Sequence, residues 1–210
     1  MRPYLQGLLT RMAAKCTEPD SSKSVSWVAH REAERLNDLT MVDELSEHLQ
    51  AEQVRQRRLA CLFIIGKLGA NQAHYDCAEI ILAALAQEQD KYVLSAALDL
   101  IRDIPKPASV NLSFVYDLLA DPRWLVRHAA IRALEGSEAS ASEDCVLHLL
   151  STTTDADDQI YCHSTLNRIG TARSIPHLEK GAESRKRDVR MSAQSALAAI
   201  QERMRSEARR

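Results

Sequence analysis

One short pattern recurs along this chain at steps of 36, 33, 32 and 31 residues, and it constrains the fold more than any other feature. Its clearest copies are Val126-Arg127-x-x-Ala130-x-x-Ala133-Leu134 and Val189-Arg190-x-x-Ala193-x-x-Ala196-Leu197. Three looser copies keep the frame: Arg57, Cys61, Ile64, Ile65, Leu68 and Gly69; Val93, Ala97, Leu100, Ile101 and Ile104; Asp158, Cys162, Thr165, Leu166, Ile169 and Gly170. Counted from the first residue, the offsets 0, +4, +7, +8 and +11 fall on one stripe of an α-helix. The small residue at +4 lets a neighbouring helix approach, and the large ones at +8 and +11 fill the space between units. A single helical hairpin cannot cover both of its apolar faces, so units of this length are expected to stack as an all-α solenoid. Five such hairpins are expected.

Composition agrees. The apolar fraction is 45% but only 4% of residues are aromatic, which suits close-packed helices better than sheets. The net charge of −2 argues against a general polyanion binder, so nucleic acid is not the expected partner. The five cysteines, Cys16, Cys61, Cys77, Cys145 and Cys162, show no C-x-x-C spacing. Cys61 and Cys162 take the +4 position that Ala fills elsewhere, and read as small core residues. Unclustered thiols suit a reducing compartment. The first fifteen residues hold no apolar run of signal-peptide length, and no stretch approaches the roughly 20 apolar residues that span a bilayer. The expectation is a cytoplasmic protein with no membrane contact.

The helical pattern predicts an N-terminal cap over 1–40, a repeat array over 41–204 and a basic tail over 205–210. Leu5, Leu8, Leu9 and Met12 mark an amphipathic first helix, and Ser24 or Ser26 is expected to cap the second. Helices are then predicted near 53–68, 73–86, 89–104, 111–120, 122–135, 142–151, 156–169, 174–182 and 186–204. Asp121-Pro122 reads as an acidic cap with a proline in the first turn, and Gly69, Gly136 and Gly170 as helix stops. Asp-Gln at 158–159, where the best copies have Val-Arg, predicts irregular packing in that unit.

The run Asp121-Pro122-x-x-x-Val126-Arg127-x-x-Ala130-x-x-Ala133-Leu134 resembles the HEAT-repeat family. The resemblance extends over about residues 41–204. It implies an α-solenoid with outer and inner helices, and usually a protein-binding role. Enzymatic branches of the family are tested residue by residue. The hydroxylases that hold two irons use His-Glu pairs, and none of the seven histidines here precedes a Glu. HEAT-like alkylpurine DNA glycosylases are the alternative, resting on Trp124 beside Asp121, Arg123 and Arg127. The simplest expectation for those residues is structural: Asp121 caps a helix, Trp124 packs between units, and Arg127 joins a ladder of hydrogen bonds between repeats. Two Trp and two Phe offer few platforms for stacked bases. Nothing speaks for a bilin site, a phosphate-binding loop or a nucleophile with a base, so no catalytic residue, cofactor or metal is expected.

The stripe opposite the core, at offsets +2, +6, +9 and +13, is where a partner is expected. It comprises Leu59 and Phe63; Ser95, Asp99 and Arg102; His128, Arg132 and Glu135; Ile160, Ser164 and Asn167; Met191, Ser195 and Glu202. From these, Asp99, Arg102, His128, Arg132, Glu135, Ser164, Asn167 and Met191 are the candidate contact residues. Mixed apolar, polar and charged chemistry fits a protein partner better than a nucleic acid groove. Leu59 and Phe63 are expected to be covered by the helix at Trp27. Between Ala133 and Asn167 there is no Lys or Arg while seven acids occur, and the tail from Arg185 is basic; both read as solvated faces or as docking patches. The expected function is a non-catalytic scaffold or regulator that binds another protein, as an adaptor or an inhibitor of the immunity type.

Overall fold

A computed structural model describes residues 1–209; Arg210, the last residue of the basic tail, lies outside the described residues. Twelve α-helices occur among them: α1 Pro3–Met12, α2 Val25–Ala33, α3 Val42–Ala51, α4 Arg55–Asn71, α5 Asp76–Leu85, α6 Lys91–Ile101, α7 Ser113–Leu118, α8 Trp124–Ala133, α9 Ser140–Thr152, α10 Ala156–Ile169, α11 Ile175–Ala182 and α12 Arg187–Ala208. The fold is an all-α solenoid of five hairpins, α3/α4 to α11/α12, preceded by α1 and α2.

The chain forms two compact units, Met1–Pro105 and Lys106–Arg210. In the first, α4 packs on α3, α5 and α6, and α1 lies on α2 and α4. Leu5, Leu8, Leu9 and Met12 are buried in that contact. Ser24 caps α2 by accepting from Trp27 N–H at 3.1 Å. α2, the helix that carries Trp27, covers Phe63 as expected, through His30 edge-on at 5.0 Å; Trp27 itself stays exposed beneath the Arg31 guanidinium. In the second unit α8, α10 and α12 pack in succession, with α7, α9 and α11 as their hairpin partners.

The repeat frame is the core. Val126, Ala130, Ala133 and Leu134 are fully buried, as are Cys61, Ile64, Ile65, Leu68, Cys162, Leu166, Ala193 and Ala196. Each buried Leu or Ile contributes about 2 kcal/mol. Burial pushes the Cys61 thiol up to about 12 and raises that of Cys162, as expected of thiols that serve as small apolar side chains. The unit at 158 stacks regularly despite its Asp-Gln, because Thr165 Oγ1 donates to the Ile131 carbonyl at 3.0 Å and Asp158 meets Arg127.

A second periodicity lies five residues before the frame. Glu52, Glu88, Asp121, Thr153 and Ser184 stand at the same steps of 36, 33, 32 and 31 residues. In each, a side-chain oxygen accepts the backbone N–H two residues on: Val54 at 2.8 Å, Asp90 at 2.8 Å, Arg123 at 2.8 Å, Asp155 at 3.1 Å and Lys186 at 3.2 Å. The turn before every inner helix is thus closed by a local side chain. The residue at offset +1 reaches back to the same turn. Arg127 donates to the Asp121 carbonyl, Gln159 to that of Thr153 and Arg190 to that of Ser184, each six residues upstream.

Two expectations are corrected. Asp121 does not cap the helix; it folds onto Arg123, Pro122 lies outside, and α8 begins at Trp124. Gly69 is not a stop but lies inside α4, where a Cβ would sit 2.6 Å from Cys77 Cβ. One turn earlier, a Cβ on Gly66 would meet Leu100 Cβ at 2.7 Å, so α4 and α6 touch at backbone range. Gly66→Ala gains up to about 1 kcal/mol of helix propensity, but must push apart an atom fixed to the α6 backbone, which costs about 1–3 kcal/mol. A lowered urea midpoint with an unchanged m-value is the expected result.

Candidate protein-binding face

The second unit brings five of the expected contact residues onto three helices packed in succession. His128 and Arg132 are on α8, Ser164 and Asn167 on α10, and Met191 on α12. Ser164 is exposed and Met191 is 55% exposed. Asn167 is partly exposed and donates to the Ser195 carbonyl at 3.2 Å. Glu135, partly exposed, follows the end of α8. Asp99, in α6, and Arg102, which caps it, are half-exposed and belong to the other unit. Arg102 also bonds its neighbour Asp103 at 3.2 Å.

His128 departs from the exposed stripe. It is only 6% exposed, because its Nε2 turns inward to Asp158 Oδ1 at 2.9 Å. Asp158 is itself buried, and its carboxylate is surrounded by donors. Arg127 Nε approaches Oδ1 at 2.8 Å and Oδ2 at 3.0 Å, and Thr153 Oγ1 donates to Oδ2 at 3.1 Å. This is the link between repeats expected of Arg127. A frame position that holds Val in the neighbouring units holds a carboxylate here because the preceding repeat supplies a guanidinium to neutralise it.

A ring system covers this cluster. Tyr161 of α10 lies 4.3 Å from the His128 ring, the Trp124 ring is 5.7 Å from His128, and the Arg132 guanidinium stands 5.4 Å from the Tyr161 centroid. Trp124 does not pack between units; it is 61% exposed. Together with Asp155, Asp157 and Ile160, these rings line an open pocket of about 510 Å³. Asp155 caps α10, its Oδ1 accepting from the N–H groups of Asp157 and Asp158 at 2.8 and 3.2 Å. Those two bonds hold its carboxyl below the usual range.

Sequence reasoning missed Tyr161 as a surface-forming residue; Asp155 and Asp157 lie in the acidic stretch that it read as a solvated face or a docking patch. Tyr161 stands at offset +3, between two positions of the expected stripe, and its contact with His128 depends on the packing of α10 on α8. Three of the seven acids in the run are paired within the chain. Glu143 is buried and accepts from Thr171 and Ser174, the latter at 2.6 Å; Asp144 pairs with Arg173; Asp158 is in the cluster above. In the basic segment, Arg203 closes the end of α10 by donating to the carbonyls of Asn167 and Gly170.

His128, Asp155 and Asp158 each bring one ligand-type atom within 4.8 Å of the others. All three are already engaged with this chain's own groups, and Arg127 places a fixed positive charge against Asp158. Two of the three are committed to each other and to Arg127, and exposed Asp155 alone keeps a carboxylate oxygen, Oδ2, outside the hydrogen bonds of the cluster.

A second opening of about 500 Å³ is lined by His163, His177, Lys180, Gly181 and Ser184, among others. His163 is 1% exposed. Ser192 Oγ donates to the Val189 carbonyl, so His163 Nδ1 is the donor to Ser192 Oγ at 2.9 Å. Nε2 then carries a lone pair that faces Gly181, where a Cβ would stand 2.9 Å away. Burial lowers the imidazole to about 4.

The solenoid fold defines the class: a helical-repeat protein. The profile of the HEAT-repeat family matches residues 112–198, the stretch that carries most of the face just described. Solved structures show the same fold over nearly the whole chain. An engineered protein from a structural genomics consortium is 16% identical with a TM-score of 0.56, over 96% of this chain and 98% of its own. A designed armadillo repeat protein is 16% identical with a TM-score of 0.50, over 93% of this chain and 99% of its own. No curated protein matches. Among the described residues no helix is long and apolar enough to cross a membrane.

Two outcomes follow from the buried polar groups. Asp158→Ala strands Arg127 and His128 and is expected to cost about 3 kcal/mol, read by denaturant unfolding; Asp158→Asn keeps one acceptor and costs less. The unfolded chain protonates His163 near pH 6.5 and the folded chain only near 4. The neutral imidazole therefore leaves stability complete above about pH 6.5, and stability falls as pH drops toward 4, by on the order of 3 kcal/mol for this group. The slope of stability against pH in that window is expected to flatten in His163→Gln.

Proposed function

We propose that this protein is a non-catalytic scaffold or regulator that binds another protein through the α8–α10–α12 face, working in the cytoplasm as an adaptor or as an inhibitor of the immunity type. The observation that carries this reading is the exposure of two large apolar side chains, Trp124 and Met191, at 61% and 55% on helices of one packed series. Such side chains are typical anchors of a partner contact when ringed by polar groups. Arg132, Ser164 and Asn167 form that polar surround, and Glu135 extends it. Asp99 and Arg102 would serve as contacts on the first unit. The repeat architecture supports the reading, since stacked hairpins present long regular surfaces.

The chemistry of the candidate residues supports a binding role over catalysis. Asp121, the carboxylate that a glycosylase reading requires, is bonded by the side chain of Arg123 at 2.7 and 2.9 Å. Asp158 and Glu143 are likewise committed to the fold.

Affinity capture from the native cells, followed by calorimetry with the purified partner, tests the face. Met191→Asp and Ser164→Arg are expected to weaken binding at least tenfold, about 1.4 kcal/mol, while Glu179→Lys on α11 leaves it unchanged. Binding that ignores both face variants overturns the proposal.

A further inference from the structure

We propose that the pocket between Trp124 and Tyr161 receives an arginine side chain presented by the protein partner. This deepens the proposed function and rests on it, because the pocket opens on the same α8–α10 surface.

Three features select the ligand. The first is charge. Six residues line the pocket, Trp124, His128, Asp155, Asp157, Ile160 and Tyr161, and none is Lys or Arg. The nearby Asp158 is matched by Arg127 and Asp121 by Arg123. Asp155 and Asp157 are in no ion pair among the described residues; Arg127 is bonded to Asp158 and acts on Asp155 only through space, and Arg132 stands over the Tyr161 ring. The N-terminus of α10 contributes only about half a positive charge, which two carboxylates outweigh. A phosphate would be repelled here, and an apolar side chain would strip water from the carboxylates without replacing it.

The second feature is shape. The Trp124 indole touches His128 on one side and is otherwise open to solvent. A guanidinium is flat and weakly hydrated, and stacks on such a ring while its N–H groups reach carboxylates; a compact, strongly hydrated ammonium does this less well. The ring series already accepts this chemistry, since the chain's own Arg132 lies over Tyr161. A volume of about 510 Å³ accommodates the whole arginine stem with room for water.

The third feature is preorganisation. Asp155 is held in place by two backbone N–H groups on Oδ1, which leaves Oδ2 as a fixed acceptor. A partner guanidinium meets it without first ordering a flexible side chain.

The experiment follows the indole N–H resonances by NMR in a Trp27→Phe background, so that Trp124 alone reports. N-acetyl-arginine-N-methylamide is titrated beside its neutral isostere, the citrulline derivative, and inorganic phosphate. A saturable shift of the Trp124 indole with the arginine probe only is expected, weakened at least fivefold by Asp157→Asn and by raising salt from 50 to 500 mM. Equal shifts from arginine and citrulline, or a response to phosphate alone, overturn the proposal. Trp124→Ala, with its fold checked by circular dichroism, is expected to abolish the backbone shifts at 155–161 that arginine produces. No arginine response in a chain whose partner capture still depends on Met191 overturns the pocket and leaves the face. An arginine response in a chain whose capture ignores Met191 supports the pocket and overturns the face.

Discussion

Every inner helix of this protein enters through a turn closed by a side-chain oxygen, and the stacking of the repeats depends on that closure. At Glu52, Glu88, Asp121, Thr153 and Ser184 the acceptor changes from carboxylate to hydroxyl while the bond it makes does not. The frame residue five positions later can reach its neighbour only if the chain leaves the turn at a set angle. Arg127, Gln159 and Arg190 secure the same angle from the helix side by holding the carbonyl of the turn residue. Side-chain bonds thus replace the N-cap that Arg123 and Lys186 do not provide.

The stack tolerates a carboxylate in its core because charge is passed from one repeat to the next. Asp158 occupies a position that is Val in the flanking units, and Arg127 of the preceding unit neutralises it. The arrangement does more than fill space. It turns His128 inward, which brings Tyr161 over its ring and leaves the indole of Trp124 at the edge of the series. A buried ion pair adds little net stability, but this one decides which aromatic faces reach solvent.

The face on α8, α10 and α12 inherits its character from those choices. The acids nearby divide into those that hold the structure, Glu143 on α9 and Asp158 on α10, and those that face outward, Asp155 and Asp157. Its cations divide the same way, with Arg127 and Arg203 committed to backbone or carboxylate partners. What remains exposed is a short strip of aromatic, thioether and hydroxyl groups with a locally acidic pocket.

The repeat spacing alone determined the helical hairpins, their number and the identity of the core. Val126, Ala130, Ala133 and their counterparts carry the period directly, and burial follows from period. The amphipathic first helix and the Ala-like role of Cys61 and Cys162 were legible for the same reason. The closing residue of each turn was not, because Glu, Asp, Thr and Ser share an acceptor but no common letter. Gly69 as a close contact rather than a stop, His128 as a buried group and Trp124 as an exposed one were decided only by tertiary structure. Each depends on which neighbouring helix comes within reach, Cys77 for Gly69 and Asp158 and Tyr161 for His128, and a periodic pattern on one helix carries no information about the side chains on the next.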